Sequence, residues 1–137
     1  MRIVKLREDV KLPTKSHELD CGLDLYLLDD VDMQPMQTVC LDTGLAMDIP
    51  EGFAGILAPR SSIAKKGIVV HPAIIDPGYK GEVHIIATNC SNNTYNFKRG
   101  DRLCSLVCYS ILNPTINPED NRGASGLGGS GRWKLET

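Results

Sequence analysis

A chain of 137 residues, 23% charged, 42% hydrophobic and with a net charge of −2, has the size of one domain that buries roughly two-thirds of its unfolded surface. The slight acidic excess argues against general nucleic-acid binding, which needs a basic surplus to neutralise phosphates, but it leaves room for a small anion at a local cationic site. No run approaches 18 apolar residues and the opening MRIVKLREDVKL is charged throughout, so neither a membrane span nor a signal peptide is expected.

In chain order, the first informative segment is CGLDLY, Cys21 to Tyr26, an apolar strand pattern with Asp24 inside it. A lone buried charge is costly, so Asp24 should pair with an arginine or serve a metal ion. In TVCLDTGLAMDI the odd positions Val39, Leu41, Thr43, Leu45, Met47 and Ile49 alternate with smaller or polar residues. That period of two predicts a strand over 38–49 with one buried face. Pro50-Glu51-Gly52 supplies a turn, and further strands are expected in Phe53–Ala58, Glu82–Thr88 and Arg102–Leu112. Turns are expected at Asp76-Pro77-Gly78, Asn92-Asn93 and Arg99-Gly100-Asp101. SSIAKKG reads as one helical turn, with Ser61 or Ser62 as cap and Gly67 closing it in a left-handed conformation. NPTINPEDN, 113–121, reads as a linker from a body over 1–112 to a glycine-rich end. The fold class that follows is all-β, a barrel or a jelly-roll-like body followed by a glycine-rich C-terminal arm.

The five cysteines are scattered and form no Cys-x-x-Cys pair. Such usage fits reduced thiols in a cytosolic or nuclear setting, a host's cytosol if the chain is viral, rather than a secreted disulfide framework. Cys104 and Cys108 share a strand face, and packing is the expected role.

Three segments hold candidate chemistry, each with a plainer alternative. PRSSIAKKG sets Arg60 beside the hydroxyls of Ser61 and Ser62, so all three can meet one anion; an ordinary helix start with a surface arginine is the alternative. In HPAIIDPGYKGEV, Asp76 ends an apolar run and precedes a tight turn bearing Tyr79. A partly desolvated carboxylate there suits a general base, but Asp before Pro-Gly is also a common turn starter. GDRLCSL reads as a turn with a surface ion pair, and His71 and His84 as structural or solvent-facing. RGASGLGGSG, Arg122 to Gly131, is half glycine. It is either a solvated tail or a pliable backbone that wraps phosphates as an anion-binding nest.

The order of these segments is more specific than any one of them. CGLDLY, PRSSIAKKG, AIIDPGYKGE, RGDRLCSL and RGASGLGGSG, spanning Cys21 to Gly131, resemble in sequence and spacing the five motifs of the trimeric dUTP pyrophosphatases, the dUTPases. The resemblance implies a jelly-roll homotrimer with three active sites shared between subunits. It implies hydrolysis of dUTP to dUMP and pyrophosphate with Mg²⁺. Asp76 would then activate the water that attacks the α-phosphorus, and Tyr79 would pack on the deoxyribose and exclude a 2′-hydroxyl. The backbone of Ala73, Ile74 and Ile75 would line the uracil pocket. Arg60, Ser61 and Ser62 would hold phosphate oxygens, and Asp24 would support Mg²⁺ through water. Arg122 and the arm, with Leu127, Gly128, Gly129 and Ser130, would close over base and γ-phosphate.

Three positions depart from the family pattern. Leu127 stands where an aromatic usually stacks on uracil, Ser105 where a glutamine is usual, and Ala73 where a glycine is common in the uracil hairpin. Ser105 and Leu127 keep open a second reading, a nucleotide-sensing or protein-binding module of this fold with weak turnover. IDPGY also resembles the dCTP deaminases, but those need a glutamate on the following strand, where this chain has Ile85 and Ile86.

Overall fold

The protein is described here by a computed structural model covering residues 1–118. Among the described residues, eleven strands surround one helical turn: β1 Arg2–Lys5, β2 Gly22–Asp24, β3 Val31–Met33, β4 Thr38–Asp42, β5 Leu45–Asp48, β6 Phe53–Pro59, α1 Ser61–Ala64, β7 Ile68–Val70, β8 Ile74–Ile75, β9 His84–Asn89, β10 Tyr95–Phe97 and β11 Cys104–Ser110. They form a four-stranded sheet β2-β11-β6-β8, a three-stranded sheet β4-β9-β7, and the pairs β1-β5 and β10-β3, all antiparallel. This is the all-β, jelly-roll-like body expected from the alternation. No helix among the described residues is long and apolar enough to cross a membrane.

The alternating stretch 38–49 divides into β4 and β5. Gly44 breaks it with φ 68°, and a Cβ there would stand 2.5 Å from Cγ2 of Val10, so glycine is required both by conformation and by space. The odd residues stay inward on both sides of the break, with Leu45 and Met47 fully buried beside Leu25, Met33, Ile68, Ile85, Leu103 and Leu106. These side chains make one continuous core, which the burial of apolar surface holds together. Asn89 is one of three buried polar residues among the described ones, with Thr43 and Asp24. Its amide donates to the carbonyls of Met33 (2.9 Å) and Asn93 (2.6 Å), and its oxygen accepts from Ser91, so β9 is tied to the β3–β10 corner at no desolvation loss.

α1 begins at Arg60, which carries no side-chain cap, so neither serine caps it as expected. The first turn is instead closed by the Arg60 carbonyl, which accepts from Ile63 and Ala64. Gly67 closes the end at φ 82°, as predicted. Ile63 is buried in the core and anchors the turn, which packs on β7. Cys104 lies in the core, while Cys108, on the same strand, is exposed where β11 runs past it. All five cysteines are free.

Candidate active site

The four-stranded sheet gathers four of the five sequence motifs. Asp24 on β2, Ser105 on β11 and Ala58 on β6 stand opposite one another on a single rung. Pro59 then delivers Arg60, and β8 pairs with the other half of β6, Ile75 facing Gly55.

At the β2 corner, Asp24 is 8% exposed and holds the cationic groups around it. Its Oδ1 accepts the Ser105 hydroxyl at 2.6 Å, its Oδ2 accepts Nη1 of Arg102 at 3.0 Å, and Nε of Arg60 lies 3.9 Å away. The expectation that this carboxylate needs an arginine is met twice. Arg60 also donates to the Arg102 carbonyl at 3.4 Å. The two guanidiniums line a polar hollow of about 310 Å³ with Ile63, Phe97, Gly100 and Asp101. Ser61 and Ser62 are exposed on the adjoining turn. Sequence reasoning gave Arg102 to a surface ion pair. Gly100, at φ 88°, and the Asp101 carboxylate accepting from the Lys98 N–H turn the chain so that Arg102 enters the site. Behind this corner, Thr14 bridges the backbone of Asp24, and its hydroxyl shares a hydrogen bond with Tyr26 that lowers the phenol's pKa. The Asp24 charge and, above all, burial push the neighbouring Cys104 thiol up to about 12; burial is the leading cause, and it leaves the sulfur a packing group.

At the β8 corner, Ala73, Ile74, Ile75, Asp76, Tyr79, Glu82, Val83, His84 and Ile86 line a mainly apolar pocket of about 340 Å³. Asp76 starts a turn whose third residue, Gly78, has φ 85°, and its carbonyl accepts the Tyr79 N–H at 3.1 Å, as a type II turn requires. The Asp76 carboxylate is exposed in the single chain rather than partly desolvated. Ile74 is likewise exposed and only Ile75 is in the core. Ala73 adopts no left-handed conformation, so the hairpin accommodates alanine in place of glycine without strain. The far wall was missed in the sequence: β9 contributes His84 and Ile86 through long-range pairing that no local pattern reveals. β9 carries no carboxylate, and Glu82 is turned to Arg7 (3.1 Å) and the Gly44 N–H (2.9 Å). His84 meets Asp42 at 3.2 Å. Asp42, Glu82 and His84 could converge on a cation, with ligand atoms within 4.8 Å of one another. Arg7 already neutralises both carboxylates, and the group is a salt-bridge cluster. His71 is structural, bonded to Thr88 at 2.7 Å.

The two corners share no lining residue. From Asp24 to Asp76 the register crosses three strand spacings and four residues along β6, a separation of about 20 Å at ordinary sheet dimensions. Arg122, Leu127, Gly128, Gly129 and Ser130 lie outside the described residues.

The dUTPase family model matches residues 8–132. The chain belongs to the dUTPase family. Among its relatives, the deoxyuridine 5′-triphosphate nucleotidohydrolase of Wolbachia pipientis wMel is 38% identical over 91% of this chain and 90% of that protein. The enzyme of the same name from Solibacter usitatus is 34% identical over 96% of both. A solved dUTPase mutant from phage phi11 of Staphylococcus aureus, described for its coordination of a structural Mg(II) ion, superposes with a TM-score of 0.81. It is 25% identical, with 89% of this chain and 97% of that one covered.

Proposed function

We propose that this chain is a dUTP diphosphatase that hydrolyses dUTP to dUMP and pyrophosphate. The observation that carries the reading is the presence of Asp76 and Tyr79 on the lining of one mainly apolar pocket, together with the hairpin residues Ala73, Ile74 and Ile75. Such a pocket takes a flat base by its edge and faces, with a carboxylate held at its mouth. The family match and the nucleotidohydrolases among the relatives support dUTP as the occupant.

In this reading the Asp76 carboxylate orients a water and takes its proton as the oxygen attacks the α-phosphorus. The bond from that phosphorus to the bridging oxygen breaks, and pyrophosphate leaves. Arg60 and Arg102 neutralise phosphate oxygens, Ser61 and Ser62 add hydroxyl donors, and Tyr79 covers the sugar. The work is positioning and electrostatics. Mg²⁺ bound to the triphosphate would supply further neutralisation of phosphate charge. Asp24 fits it only through water, because its oxygens already serve Ser105 and two guanidiniums. The arm from Arg122, with Leu127 and the N–H groups of Gly128, Gly129 and Ser130, would fold over the nucleotide.

A triphosphate seated at Asp76 does not reach the arginines of its own chain across about 20 Å of sheet. The arginine corner that serves it therefore comes from another copy, which is the shared site of a homotrimer. Exposed Val69 and Ile86 on the outer face of β7 and β9 are the kind of apolar surface that such assembly covers.

A nucleotide panel read by pyrophosphate release tests the proposal. Turnover of dUTP with Mg²⁺, and a fall of about 10²–10⁴-fold in kcat for Asp76→Asn with nucleotide affinity retained, are expected of a general base. Equal turnover by wild type and Asp76→Asn would remove that carboxylate from the reaction.

A further inference from the structure

Gly81 is a glycine for a reason that its backbone does not supply. Its φ lies outside the left-handed region, so any residue could adopt its conformation. What forbids a side chain is Tyr79. A Cβ on Gly81 would fall 2.7 Å from Cζ and 3.1 Å from Cε1 of the tyrosine ring, and closer still to its hydroxyl oxygen. The ring therefore lies against the bare backbone of Gly81. The phenol hydroxyl fixes its tilt by donating to the Glu82 carbonyl at 3.0 Å. The tyrosine reaches forward past Lys80 and meets the chain at two points, Gly81 and Glu82.

The consequence is directional. Tyr79 lines two hollows, the Asp76 pocket on one side and, on the other, a hollow of about 250 Å³ formed with Arg2, Val4, Leu6, Ala46 and Lys80. It is the residue that the two linings share. Tyr79 is 45% exposed, and the atoms that a Cβ would meet are the far end of its side chain, so a methyl group on Gly81 displaces that side chain rather than the backbone. The geometry points to Gly81 as a positioning residue that sets where the Tyr79 ring stands, and so how strictly the pocket discriminates at the sugar. This rests on the reading of Tyr79 as the deoxyribose contact. The substrate class it selects is 2′-deoxynucleoside triphosphates over ribonucleotides.

The experiment measures kcat/KM for dUTP and for UTP in the wild type, Gly81→Ala, Tyr79→Ala and the double variant, with Tyr79→Phe as a separate probe of the hydroxyl clamp. Wild type should favour dUTP, and Gly81→Ala should lose roughly tenfold or more of that preference, the scale on which a displaced packing group changes discrimination. In the Tyr79→Ala background the same substitution should change nothing, because there is no ring left to displace. Tyr79→Phe, which keeps the fold and drops only the bond to Glu82, should relax the preference in part. Full preference for dUTP in Gly81→Ala, or in Tyr79→Phe should the alanine variant fail to fold, overturns the inference. So does an equal further loss in the double variant. Failure of the functional reading would look different: wild type would not turn over dUTP, or Tyr79→Ala would keep the preference.

Discussion

Removing one hydroxyl tests the arginine corner. Ser105→Ala deletes the donor of the 2.6 Å bond to Asp24 Oδ1 and almost no volume. A hydrogen bond to a charged group is worth about 1.5–3 kcal/mol. Here the lower half of that range applies, because Oδ2 keeps Arg102 at 3.0 Å and the Asp24 side chain is 12% exposed, enough for a water to reach the vacated oxygen. A loss of about 1.5–2 kcal/mol shifts the melting temperature of a domain of this size by roughly 5 °C, compared at equal protomer concentration because assembly contributes to apparent stability. The kinetic signature is separate. Asp24 freed on one side swings, and with it Arg102 and Arg60, so KM for dUTP should rise several-fold while Asp76 keeps kcat nearly unchanged. Ser105→Thr, which restores the hydroxyl, should recover both. Thermal melts and steady-state pyrophosphate release read the two effects. An unchanged melt together with an unchanged KM would refute the claim that Ser105 braces Asp24, and a fall in kcat alone would mean that the serine acts at the reaction centre instead.

Two further outcomes follow from the same geometry. Cys104 stays protonated in the fold to about pH 12 but ionises near its ordinary 9.0 when unfolded, so between those values the unfolded chain binds fewer protons and stability falls as pH rises. Between pH 8 and 10.5, denaturant titrations should show wild type losing about 2 kcal/mol more than Cys104→Ala, at 1.36 kcal/mol per unit beyond the ordinary value; equal losses would mean that the sulfur is not shielded. For the proposed shared site, Asp76→Asn and Arg60→Ala proteins should each be nearly inactive, while co-expressed mixtures should regain activity as some sites combine an intact Asp76 from one copy with an intact Arg60 from another. No recovery in mixtures shown by mass to contain both chains would place the whole site within one subunit.

The parts legible in the sequence were those with local causes. The inward odd residues of 38–49 follow from the pleat, and the turns at Gly67, Gly78 and Gly100 follow from positive φ. The split at Gly44 was hidden because alternation continues in phase on both sides of it, so the pattern that marks a strand also masked the break. Strands of two to four residues, such as β7, β8 and β10, are too short to display a period. The site was legible only as separate pieces. Asp24 announced a need for a cation, but nothing local said that Arg102 answers it, because that pairing depends on β11 lying between β2 and β6. His84 and Ile86 were invisible for the same reason.

The antiparallel sheet explains why the motifs can be so far apart in sequence yet the chemistry so divided in space. β6 is the spine: one end carries Arg60 and meets the rung of Asp24 and Ser105, and the other end pairs with the hairpin that bears Asp76. A sheet of this width keeps the Asp76 hairpin and the arginine corner about 20 Å apart, farther than a side-chain rotation within one chain spans. In the proposed shared site, a second copy docked with its arginine corner against the hairpin closes the distance. On that proposal assembly is a condition of catalysis, and dilution that dissociates the protein should abolish turnover while leaving each chain's β-body folded.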